Sequence, residues 1–190
     1  MLRIPIVLAT LVFGWLTAPS LASAQVAAAS VGGKPALYVG GFYSNFNSDY
    51  NGGSSSSMRL SGAGVYVDWD LFGRLGAEGE VRFLRFNQSY DFHSDHYLAG
   101  PKYSMKFGKY RPYAKLLLGA GEINYPYSLA YGGYFSLVPG GGLDYRIGPR
   151  INARADYEYQ FWPSAPGLPG LPSSGLNPNG FSVGIGYRIF

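Results

Sequence analysis

Apolar and polar residues alternate along the chain in eight separate stretches. In the last, Phe181, Val183, Ile185, Tyr187 and Ile189 alternate with Ser182, Gly184, Gly186 and Arg188. A period of two places the two sets on opposite faces of a β-strand. Residues 151–162 repeat the pattern, with Ile151, Ala153, Ala155, Tyr157, Tyr159 and Phe161 set against Asn152, Arg154, Asp156, Glu158 and Gln160. The same parity predicts strands over 36–44, 58–70, 75–86, 96–107, 112–123 and 134–147, with the closing strand over 180–190. Pro101 and Pro139 fall inside predicted strands and cannot donate to a ladder. Local bulges or displaced pairing are expected there.

The connections have a rhythm. Long polar segments at 45–57, 87–95, 124–133 and 163–179 alternate with short turns at 72–74, 108–111 and 148–149. Eight strands joined in this way predict an all-β, antiparallel, up-and-down meander. The strands exceed the ~5–6 residues usual in soluble proteins. They match the ~9–11 residues that cross a bilayer at a tilt. A transmembrane meander keeps its short turns on the periplasmic side and its long loops outside. With an even strand count both chain ends then lie in the periplasm.

The first 24 residues change the picture of where the chain goes. Arg3 precedes the apolar run Ile4 to Leu16, and Ala22-Ser23-Ala24 is an A-x-A cleavage site. Residues 1–24 are therefore expected to be a secretory signal peptide, cut before Gln25, with 25–35 a short periplasmic lead and 36–190 the barrel domain. The apolar run is shorter than the ~20 residues a spanning helix needs. No later segment is long and apolar enough to span as a helix, so any crossing must be made by strands. The 190 residues hold 28 Gly, 17 Tyr and 12 Phe, and only 14% are charged. Few charges with many aromatics suit a β protein with an apolar exterior. There is no cysteine, which excludes thiol chemistry and cysteine-held metals. The net charge of +4 falls to +3 without Arg3, too little and too scattered for a nucleic-acid partner.

Alternation alone does not say which face points inward, since a soluble barrel would hide the apolar set. Glycine crowds the polar face, at Gly40, Gly62, Gly64, Gly100, Gly119, Gly140, Gly142, Gly184 and Gly186. A water-facing surface has no need of residues that weaken strands, whereas the narrow interior of eight strands does. Aromatics gather near both ends of the apolar face, as in two interfacial girdles: Trp69, Phe107, Tyr145 and Tyr187 by the short turns, and Phe83, Tyr97, Phe135, Tyr159 and Phe161 by the long loops. The polar set is thus assigned to the lumen. It holds seven acids, Asp68, Asp70, Glu78, Glu80, Asp144, Asp156 and Glu158, and seven bases, Arg82, Lys102, Lys106, Lys115, Arg146, Arg154 and Arg188. Buried charges are tolerable in pairs, so this tally predicts a lumen charge network. The plainer alternative is that these residues merely avoid lipid.

The closing strand resembles that of bacterial outer-membrane β-barrels, which commonly end in a Phe read by the assembly machinery. Ser182, Gly184, Tyr187 and Ile189 look like the polar-x-Gly-x-x-apolar-x-apolar insertion signal, followed by Phe190. Tyr187 stands three residues before Phe190 rather than two, a departure that puts the two rings on different faces. Residues 36–190 as a whole resemble the small OmpA-like and opacity-protein-like family of Gram-negative-type envelopes. The resemblance implies an eight-stranded transmembrane barrel in the outer membrane, expected as a monomer. Its implied partners are outer-membrane lipid and lipopolysaccharide, the barrel-assembly machinery and an unknown extracellular partner.

Three readings of function follow. The first is a non-enzymatic structural or surface-interaction protein working through its outer loops. The second is a small passive, porin-like channel. The third is a lipid-modifying enzyme, for which His93-Ser94-Asp95-His96 is the only seed. Those residues are sequence neighbours in a predicted loop, whereas a triad is assembled in space, so a solvated loop is expected there and no catalytic residue is assigned. Two histidines do not make a specific metal site, and neither metal nor cofactor is expected. Arg59 and Arg85 share the lipid-facing parity at the outer ends of their strands. They are candidates for lipopolysaccharide phosphate, the alternative being that they simply snorkel into water.

Overall fold

The computed structural model describes residues 35–49, 59–87, 92–124, 131–165 and 175–190. The expected signal peptide and all of the expected lead except Pro35 lie outside the described residues, as do parts of the four long connections. Eight strands follow in order: β1 Ala36–Asn47, β2 Arg59–Phe72, β3 Leu75–Leu84, β4 His93–Ser104, β5 Tyr110–Asn124, β6 Tyr131–Arg146, β7 Ile151–Tyr159 and β8 Asn179–Arg188. Each pairs antiparallel with the next, and β8 returns to β1, giving a closed barrel. Closure removes every free edge, which a strand in lipid cannot tolerate.

The strand ends differ from the expected ones where polarity was read as a loop. β1 runs on through Asn45 to Asn47, β4 starts at His93, β5 at Tyr110 and β6 at Tyr131. Above the apolar belt, ladder pairing continues on both sides, and polar side chains do not end it. In the other direction, β3 stops at Leu84 and β7 at Tyr159. Phe161 and Trp162 still make single bridges to Leu137 and Leu176.

The bulges expected at the two prolines do not form. Pro101 stays in register opposite Ala77, and Pro139 opposite Leu116. On their other sides the ladders skip two residue pairs. β4–β5 pairing passes from Ala99↔Leu118 to Lys102↔Lys115, and β6–β7 pairing starts at Gly140↔Glu158. A residue's N–H faces only one neighbouring strand, so a proline costs one ladder one bond and leaves the register intact. The register shift lies instead between Asp70 and Phe72, beside the short turn into β3.

The apolar parity faces outward. Val65, Phe181 and Ile185 are 58%, 62% and 61% exposed, while the inward Tyr66 and Leu117 are buried. Such an apolar belt suits lipid and not water. Lumen glycines make room for rings from other strands. A Cβ on Gly64 would stand 2.4 Å from Phe42 Cζ and 2.4 Å from the Val81 carbonyl oxygen. One on Gly186 would stand 2.3 Å from the Tyr66 hydroxyl. Phe42 and Tyr66 stack with centroids 6.2 Å apart.

Candidate functional site

The inward positions build three layers along the barrel. At the end carrying the long connections, Phe46, Leu60, Leu84, Phe92, Ile123, Trp162, Ala165 and Leu176 form a buried apolar lid, with Tyr134 packed against it. Period-two sequence brings Phe46, Leu60, Leu84 and Ile123 inward one strand at a time, Phe92, Trp162, Ala165 and Leu176 come from the flanking connections, and only closure collects them. A polar chain passes beneath: Trp162 Nε1 donates to Gln160 Oε1 at 2.9 Å, the Gln160 amide meets His96 Nδ1 at 3.0 Å, and Ser94 Oγ lies 3.0 Å from His96 Nε2. Ser94 also donates to the Glu122 carbonyl at 2.8 Å.

This arrangement corrects the expected solvated loop at His93–His96. Ser94, Asp95 and His96 sit in β4 and are buried. Ser94 and His96 face the lumen together, but Asp95 faces the other way and pairs with Arg85. The second His96 nitrogen meets an amide rather than a carboxylate, so no charged group orients the ring as a general base.

The middle layer is a charge network. Arg82 reaches Glu158 at 2.8 Å and Glu80 at 3.0 Å. Lys115 lies 2.6 Å from Glu158, 2.9 Å from Glu78 and 3.2 Å from both Glu80 and Asp156. Lys102 reaches Asp68 at 2.7 Å and Glu78 at 2.9 Å. Arg154 reaches Asp144 at 2.8 Å, Glu78 at 2.9 Å and Asp68 at 3.0 Å. Rings cover the cations from the side: Arg154 over Tyr66 and Lys102 over Tyr113, each 3.8 Å from the centroid. Cation and ring quadrupole attract, the more so when both are buried.

The expected tally of seven acids and seven bases needs two corrections. Arg111, read as part of a turn, opens the lumen face of β5 and is buried. It holds Asp68 and Asp144 at 2.7 Å and Asp70 at 2.8 Å. Its parity matched that of Tyr113 and Lys115, and the proline at 112 masked it as the start of a strand. Lys106, Arg146 and Arg188 are not in the sealed interior. Lys106 is half-exposed, 3.6 Å from Asp70, Arg146 is exposed, and Arg188 donates to the Phe190 main-chain oxygen at 2.9 Å. The sealed part thus holds all seven acids with five bases, Arg82, Lys102, Arg111, Lys115 and Arg154. Parity tells which face a side chain takes but not how deep it sits.

The remaining candidates lie on the outside or at the seam. Arg59 is exposed, and its carbonyl accepts from Asn87 Nδ2 at 2.9 Å. Arg85 is tied to Asp95 and lies 5.7 Å from the Phe83 centroid. The hydrogen bond to Asp95 raises the pKa of Arg85 further above its high ordinary value, and the guanidinium stays charged. At the seam, Ser182 Oγ lies 2.8 Å from Ser44 Oγ, and Gly184 admits Phe42. Tyr187 faces lipid and accepts from Arg150 at 3.2 Å. The Ile189 amide donates to the Leu37 carbonyl at 2.8 Å, and Phe190 stands exposed beyond β8. Among the described residues no group of three or more His, Asp or Glu converges as a metal site.

Closed eight-strand topology, an apolar exterior and a charged interior describe a transmembrane barrel. Residues 16–188 match the family model described as outer membrane protein beta-barrel domain. The chain belongs to this family. It is accordingly an outer-membrane protein. No curated protein sequence matches it. Several solved outer-membrane barrels share its fold. Neisserial surface protein A is 15% identical with a TM-score of 0.57, over 82% of this chain and 97% of that one. The N-terminal barrel domain of Pseudomonas aeruginosa OprF is 16% identical with a TM-score of 0.53, over 82% and 99%. Ail, the attachment invasion locus protein of Yersinia pestis, solved in complex with the heparin analogue sucrose octasulfate, is 19% identical with a TM-score of 0.51, over 82% and 97%.

Proposed function

We propose that this outer-membrane barrel is a non-enzymatic scaffold that acts through its long connections on the cell exterior. The observation that carries this reading is the filled lumen. An apolar lid closes one end, and side chains such as Arg82 and Glu158, both fully buried, occupy the middle. An interior filled in this way supports a plug over a pore, and a scaffold over an enzyme. Neisserial surface protein A and Ail are named for the surface and for attachment, which supports loop-borne function on this kind of scaffold. In this reading residues 1–24 are cleaved on export, the short turns face the periplasm and the barrel works as a monomer. The closing segment Ser182 to Phe190 is the part the assembly machinery reads, and Arg59 meets lipopolysaccharide phosphate at the outer rim. Arg85 is less free to do so, being tied to Asp95. An extracellular partner is met through the loops.

The deciding measurement is single-channel recording of the purified protein in planar bilayers. A plugged scaffold shows no steady conductance. A steady conductance whose ion selectivity changes in Glu80→Gln or Lys115→Met would overturn the scaffold and make the protein a channel.

A further inference from the structure

The mouth at the short-turn end is charged in a way that the lumen network does not use. Lys106, Arg146 and Arg188 project there from β4's continuation, from the last residue of β6 and from the last of β8. They wall a cavity of about 250 Å³ whose floor is Arg111 with Asp144. The three short connections, 73–74, 105–109 and 147–150, hold Arg74, Lys106, Lys109 and Arg150 and no acid. The long connections at the other end carry few charges of either sign.

The chain supplies this mouth with little counter-charge. Asp70 and Asp144 are the acidic side chains within reach, and Arg111 already engages both, with Arg154 also on Asp144. Arg188 is held by the Phe190 main-chain oxygen at 2.9 Å, which leaves Lys109 and Arg146, among the described residues, as the uncommitted cations. Lys106 shares Asp70 at 3.6 Å. Among the described residues no carboxylate lies within 4.0 Å of Lys109 or Arg146. Residues 1–35 contain no acid and add Lys34, so the segment leading into β1 cannot neutralise the cavity either. Asp144 is the one acid in a lining otherwise basic, and a concave site dominated by one sign of charge focuses its field and concentrates the opposite ion. Guanidinium forks on separate strands donate from several directions, which suits the faces of a tetrahedral phosphate better than one planar carboxylate edge.

We propose that the short-turn mouth is a phosphate-binding site. The phosphate is carried either by a lipid headgroup of the adjoining leaflet or by a soluble molecule in the compartment that the mouth opens to. Occupancy ties the rim of the barrel to an anionic neighbour without any change in the lumen.

The test is isothermal titration of the folded, full mature chain in zwitterionic detergent with inorganic pyrophosphate. One saturable site is expected, weakening as salt rises. Arg146→Gln combined with Lys109→Gln lowers the affinity roughly tenfold or more, the loss of one or two charge-assisted hydrogen bonds. Arg146→Lys retains part of it, and Arg59→Gln at the opposite end changes nothing. Both altered mouth residues are exposed, and an unheated gel checks that each variant has folded. The titration is then repeated in phosphatidylcholine nanodiscs with and without phosphatidylglycerol. Competition by phosphatidylglycerol assigns the site to a headgroup, and undiminished pyrophosphate binding assigns it to a soluble ligand. Absence of saturable binding, or binding equally strong in the Arg146→Gln/Lys109→Gln variant, overturns the proposal.

Discussion

Lys115 touches four carboxylates, whereas Glu80 touches two bases, Arg82 and Lys115. With seven acids and five bases sealed in the lumen, losing a base leaves more charge unpaired than losing an acid. Lys115→Met should therefore destabilise the barrel by about 3–5 kcal/mol, the usual cost of stranding buried partners. Glu80→Gln should cost less than half as much, because Arg82 keeps Glu158 and Lys115 keeps three acids. Arg146→Gln, at the exposed mouth, should cost less than about 1 kcal/mol. Urea unfolding in detergent micelles ranks the three. Equal, small losses for all would mean that the lumen is hydrated.

At the scale of the strand, inward and outward glycines answer to different neighbours. Gly64 faces the lumen, where an added Cβ meets the Val81 carbonyl and the Phe42 ring at 2.4 Å. Gly41, one rung away on β1, faces lipid, and its added Cβ meets only the Gly64 carbonyl, at 3.6 Å. Gly64→Ala should cost about 1–3 kcal/mol through overpacking, while Gly41→Ala folds like the parent. The folded fraction on unheated gels and the urea midpoint read the difference. If the two variants behave alike, ring packing over lumen glycines does not hold the strands together. Crowding of glycine on the polar face was visible in the sequence. Its partner rings were not, because Phe42 and Gly64 belong to different strands and meet only once the register is set.

For the whole molecule, the alternation of long and short connections implies a sided barrel. A broad-specificity protease added to intact cells should cut within 45–57 or 163–179 and spare the turn at Arg74. Cutting at Arg74 in sealed cells, with the long segments untouched, would invert the topology. The chain should also migrate differently on gels before and after heating. Recovery as a detergent-free soluble monomer would contradict its apolar exterior.

Strand number, strand parity and the inverted placement of apolar and polar faces were legible in the sequence. They are period-two properties, and each residue carries them with its immediate neighbours. The chain itself thus determined that this is an eight-stranded outer-membrane barrel with charges inside. Depth along the barrel axis was not legible, because it depends on stagger between strands. That is why Arg111 proved to be a buried member of the network while Arg146 and Arg188 lie at the mouth. The Ser94, His96, Gln160 and Trp162 chain was equally hidden. Its members come from β4 and from the segment after β7, elements that pair with other strands in the ladder and approach only across the lumen. Sequence order decides who is beside whom along a strand. Closure of the barrel alone decides which side chains meet across its interior, and those meetings set where the lumen is plugged and where its charge is left open.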